Sequence, residues 1–132
     1  GGEYVAIESM EKEYSKSKYV DAMAGGIMCY GDGSMDRPVA LVQVNTTEYR
    51  KLGDNFDQNY KIILDDLNAE GKSGGLNRNE KLAGVHLIMR EGDETEWSPE
   101  NNMLTASNKL NRQVIKQQCE RQLNETILKG IF

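Results

Sequence analysis

Apolar positions along the chain follow two rhythms. From Val5 to Lys16, Ile7, Met10 and Tyr14 recur at i, i+3 and i+7, a helical stripe, with Glu8, Glu11 and Lys12 placed on the opposite, polar face. The runs "VDAMAGGIMCY" and "RPVALVQVN" are apolar and β-prone around the turn residues "GDGSMDRP". They predict an antiparallel pair, with Pro38 at the first position of the second strand. "VALVQV" is apolar on both alternating faces at most positions and therefore reads as a central strand. Tyr60, Ile63 and Leu67 stripe a helix over Asn59–Glu70, with Gly71 as its C-terminal stop. After the polar connector "GKSGGLNRNEK", "GVHLIMR" predicts a short strand in which Val85, Leu87 and Met89 alternate with His86, Ile88 and Arg90. From Asn111 onward Val114, Ile115, Cys119, Leu123, Ile127 and Ile131 trace one last amphipathic helix. No repeats occur. The pattern predicts an α+β fold, a small sheet of about three strands with helices packed on it.

Composition narrows the class. The 132 residues, 38% hydrophobic and 28% charged, suit one globular domain. No apolar run approaches the roughly 20 residues that span a bilayer. The chain opens at "GGEYVAIE" with neither Met nor a signal pattern, and the expectation is a piece of a larger protein. A net charge of -5 argues against nucleic acid as a partner. That charge is uneven: from residue 107 on, five basic residues (Lys109, Arg112, Lys116, Arg121, Lys129) face two acidic ones (Glu120, Glu125), a local +3 that leaves -8 elsewhere. Such a segment suits a solvated helix face, phosphates or an acidic partner surface. Cys29 and Cys119 have no paired spacing and read as reduced thiols, so the expected location is intracellular. His86 is alone, and no metal-ligand set surrounds it. The sequons at Asn45 and Asn124 carry weight only in a secreted protein.

Three stretches are candidates for chemistry. Gly31–Gly33, "GDG", sits between strands with no helix after it and reads as a turn. "GGEY" at the start offers either close backbone approach to a ligand or a tight turn. "LTASNKLNR" contains Thr105, Ser107 and Asn108, all able to cap a helix, so Lys109 is expected at a helix start. A cation there opposes the helix dipole by only about 0.3–1 kcal/mol. The local residues leave Lys109 open between a solvated lysine and one that meets an anion.

Four blocks in order, "GGEYVAIESMEKEYSKSKYVD", "YGDGSMDRPVALV", "LNAEGKSGGLNRNEKLAGVHLI" and "WSPENNMLTASNKLNRQVI", resemble the C-terminal domain of long-chain fatty acyl-CoA synthetases. These are AMP-forming ligases of the adenylate-forming superfamily. The resemblance covers nearly the whole chain. It implies that residues 1–132 form the single lid domain of such a ligase, with the hinge and the N-terminal ATP and fatty-acid domain lying outside this sequence. It further implies two half-reactions: a fatty carboxylate and ATP give acyl-adenylate and pyrophosphate, then, after the lid rotates, CoA displaces AMP.

On this resemblance Lys109 is the catalytic lysine of the first half-reaction, an ammonium bridging carboxylate and phosphate oxygens. Gly2, Glu3 and Tyr4 fall on the CoA side after rotation, and Arg112 near CoA or nucleotide phosphates. ATP and CoA are implied as substrates, with Mg2+ held mainly by the other domain. The implied partners are that domain, fatty acid, ATP and CoA, with membrane association only through the part outside this sequence. The location is cytoplasmic or the cytosolic face of a membrane or organelle, and the domain alone is expected to be inactive. The chain departs from the common pattern at Asn102 and Asn108, where Gly is frequent, at Ala106, where Pro is, and at Asn111, where a second lysine is. The rival readings are an adenylate-forming ligase for another carboxylic acid and a free-standing interaction module.

Overall fold

The computed structural model describes residues 7–32, 35–89 and 94–131. Three strands, β1 (Ile27–Tyr30), β2 (Val39–Gln43) and β3 (Gly84–Ile88), form one sheet in that order. β1 runs antiparallel to β2 with Ile27 opposite Val42 and Tyr30 opposite Val39. β3 runs parallel to β2 with Val39 beside Gly84 and Gln43 beside Ile88. The parallel pair needs a long crossover, which carries α2 (Thr46–Arg50) and α3 (Phe56–Ser73). The expected α+β architecture and central β2 are what the structure shows.

Both faces of the sheet are covered, which is why its strands read as unbroken apolar runs. Period-two alternation sends Ala40 and Val42 to one side, where α1 (Ile7–Tyr14) and α3 bring Met10, Tyr14, Ile63 and Leu67. Val39 and Leu41 face the other side with Ile88, Trp97 and Leu104. There α4 (Arg112–Gln118) and α5 (Glu120–Ile131) supply Ile115 and Leu123. Each outer strand has a backbone N–H met by a side chain: Cys29 N–H donates to Glu11 Oε2 at 2.8 Å, and Val85 N–H to the Tyr60 hydroxyl at 3.0 Å.

Four expectations are corrected. Gly71 does not end α3, which continues to Ser73; a Cβ on this buried residue would stand 2.7 Å from Tyr14 Cε1, so packing, not capping, requires glycine. The single final helix is two, because Cys119 leaves helical geometry at φ -110 and ψ 20. Glu11, placed by pattern on the polar face of α1, is buried at 8% exposure. The helix after Lys109 begins only at Arg112, so the lysine is not in its first turn and its dipole penalty does not arise. The short α2 carries no buried residue and left no apolar stripe to read.

Candidate functional site

The segment that presents Lys109 is pinned before it turns. Glu94 Oε1 lies 2.7 Å from His86 Nε2 of β3 and accepts from Gln122 Nε2 of α5 at 3.2 Å. Gln43, buried in β2, donates from Nε2 to the Thr95 carbonyl at 3.3 Å. Trp97 is 2% exposed and its N–H donates to the Ala24 carbonyl at 3.0 Å. Its ring covers Gly25, where φ is +111 and a Cβ would lie 2.9 Å from the indole, so both backbone and space demand glycine. Asn101 then shapes a turn, its Oδ1 accepting from Ser98 N–H and Met103 N–H, each at 3.1 Å.

A small hairpin follows. Leu104 and Leu110 bridge antiparallel. Thr105 N–H donates to the Lys109 carbonyl at 2.7 Å and Asn108 N–H to the Thr105 carbonyl at 2.9 Å. Asn108 closes the loop at φ 61. This is a turn followed by a left-handed residue, a usual three-residue hairpin. The Lys109 N–H also donates to Thr105 Oγ1 at 3.2 Å. Asn102 is left-handed too, at φ 65. Both departures from glycine thus fall where the backbone needs positive φ, and asparagine is the side chain that best tolerates it.

Residues Thr105 to Lys109 are exposed, and among the described residues no ion pair engages the Lys109 ammonium. The hairpin lifts a point charge on a flexible stem into solvent from a rigid base. Asn111 secures that base, donating from N–H to the Met103 carbonyl at 2.9 Å and from Nδ2 to the Asn102 carbonyl at 3.0 Å.

Arg112, the next residue, reaches back 101 positions to Glu11 in α1. Its two terminal nitrogens donate to the two carboxylate oxygens at 2.7 and 2.6 Å, a bidentate pair. The hydrogen-bonded Glu11 holds the guanidinium above even the ordinary arginine range, against burial that lowers it. Burial first, and the Glu11 charge second, push the Cys29 thiol well up, so it stays protonated at neutral pH. Burial also raises Cys119, with Glu94 adding to the effect. Arg112 lines a cleft of about 680 Å³ between α1, β1 and α4, together with Ile7, Met28, Tyr30 and Lys116. Lys116 Nζ lies 5.1 Å from the centre of the Tyr30 ring, a cation–π arrangement.

The structure therefore joins Arg112 to the lysine hairpin through Asn111, while Gly2, Glu3 and Tyr4 lie outside the described residues. Sequence reasoning missed Glu11, Asn101 and Asn111. The asparagine-rich "ENN" was the available signal for the turn; Glu11 left none, since its partner is distant in sequence.

No protein-family model matches the chain. It is 33% identical over 132 residues to long-chain-fatty-acid–CoA ligase 1 of Saccharomyces cerevisiae, covering 86% of this chain and 18% of that protein. It is 29% identical over 126 residues to a palmitoyl-CoA ligase of Gibberella moniliformis, covering 87% of this chain and 17% of that one. The chain thus spans under a fifth of the length of these relatives. Among solved structures, the adenylation domain of a carboxylate reductase from Mycobacterium chelonae shares the fold at a TM-score of 0.80 and 22% identity, over 94% of this chain and 18% of that chain. The A-PCP didomain of a carboxylic acid reductase from Segniliparus rugosus, in complex with AMP, does so at 0.76 and 24%, over 93% and 16%.

Proposed function

We propose that this chain, homologous over most of its length to long-chain fatty acid–CoA ligases, works as the C-terminal lid of an AMP-forming ligase of that kind. The observation that carries the reading is the exposed Lys109 ammonium on a hairpin whose backbone is fixed at both ends.

In the first half-reaction a fatty carboxylate oxygen bonds to the α-phosphorus of ATP while the bond to pyrophosphate breaks. Two anions must meet, and a cation between them lowers that cost and holds the in-line geometry. Lysine suits this task as a compact charge able to follow moving oxygens. In the second half-reaction the lid turns another face, and the CoA thiol displaces AMP. On the family resemblance Gly2, Glu3 and Tyr4 would serve that step; Lys116 and the Glu11-paired Arg112 line the cleft between α1, β1 and α4. No group of three or more His, Cys, Asp or Glu among the described residues could hold a metal ion. In this reading the Mg2+ accompanying ATP would be held mainly by the large domain, as the family resemblance implies. The lid by itself is inactive in this reading, because the ATP and fatty-acid sites lie mostly elsewhere.

The test separates the half-reactions. In the full-length ligase Lys109→Ala is expected to lower acyl-adenylate formation by roughly 10²–10³-fold, the loss for one transition-state donor. Thioester formation from supplied acyl-adenylate is expected to stay within a few-fold. An equal fall in both would remove Lys109 from the adenylation role.

A further inference from the structure

We infer that the Glu11–Arg112 pair is the positioning device of the Lys109 hairpin, clamping its base to α1 and to the edge of the sheet. The inference rests on the adenylation role proposed for Lys109 and concerns how that lysine is aimed.

Between Leu110, which is half-buried, and Ile115, which is fully buried, the chain must turn from hairpin into helix. The Asn111 side chain does not cap α4; it faces back to the Asn102 carbonyl and ties the hairpin only to its own loop. Leu104 and Leu110 pack the hairpin's base against the core, and Arg112 adds a polar tie from this corner to α1. Its guanidinium meets both oxygens of Glu11, which is itself held by the Cys29 N–H of β1 at 2.8 Å. Three elements therefore converge on one carboxylate: α1, β1 and the residue three positions after Lys109. A bidentate pair fixes orientation as well as distance, which a single charge contact does not. Glu11 is 8% exposed, so water competes poorly for it. Glu11 is seated in α1 with its carboxylate also held by β1, and the hairpin is the part that the clamp would hold.

Misplacing a charged group by about 1 Å costs up to 10²-fold in a reaction that depends on its position. In the full-length ligase, Glu11→Gln is expected to slow adenylate formation roughly tenfold, within that ceiling. Glu11→Gln keeps an acceptor for Cys29 N–H but loses the charge. The decisive comparison places Glu11→Gln on a Lys109→Ala background, where no further slowing is expected, because the clamp acts through the lysine. Further slowing there by the same factor would mark a merely structural pair and overturn the inference. The Asn111 amide, bonded to Met103, provides a second readout: Glu11→Gln is expected to speed its hydrogen exchange while leaving Ala40 and Val42 of β2 protected. Loss of protection throughout would mean global destabilisation and would equally overturn it. If Lys109→Ala slows adenylation but Glu11→Gln does not, the clamp alone fails. If Lys109→Ala has no effect, the functional reading and the clamp fail together.

Discussion

From Val39 to Gln43 every residue of β2 is buried, and two neighbouring strands register it on either side. From Thr105 to Lys109 every residue is exposed, yet the backbone is as fully specified, by the flanking Leu104–Leu110 bridge, turn hydrogen bonds and the left-handed Asn108. β2 is defined by what its side chains exclude, the hairpin by what its amides and small polar side chains bond. A charge that must meet a substrate cannot sit in the first environment, since burial would strip its solvation. The second keeps the charge wet and its stem's origin fixed, and costs the core nothing.

That contrast can be broken in order of expected effect. Leu41, 0% exposed in β2, is fully buried on the face of the sheet that α4 and α5 cover. Leu41→Ala is expected to lower unfolding free energy by about 2–5 kcal/mol, read as a fall in urea midpoint. An unchanged midpoint would mean that the sheet is not where stability resides. Asn108 sits at φ 61, so a β-branched side chain there is strained. Asn108→Val is expected to cost about 1–2 kcal/mol, while Asn108→Gly stays near neutral. Equal losses for Val and Gly would show that the amide side chain matters more than the backbone angle. Lys109→Ala, the smallest, is expected to shift stability by less than about 0.5 kcal/mol in the same melts. A larger loss would give the lysine a structural part that its exposure denies.

How much of this could be read from the sequence differed between the two regions for a physical reason. β2 was legible because burial on both faces writes itself as a continuous apolar run, and α1 because Ile7, Met10 and Tyr14 keep helical spacing. Lys109 was legible as a position through resemblance, but its local structure was misplaced. Thr105, Ser107 and Asn108 favour helix caps and tight turns through the same short-range hydrogen bonds, and only the turn is realised here. Gly71 misled in the same way: a glycine near a helix end usually stops it, whereas this one makes room for Tyr14 from another helix. Glu11 looked like a solvent-facing residue because three-residue spacing says nothing of an arginine 101 positions away.

The two side-chain caps on the sheet have a consequence for how such a small sheet keeps to itself. A three-stranded sheet has two free margins, and an incoming strand from a second copy would begin by bonding to outward N–H groups there. At Cys29 that group already faces a carboxylate, and at Val85 a phenol. A strand pairing at Cys29 or Val85 has to displace that side chain, and at Cys29 it competes for a carboxylate already held in an ion pair.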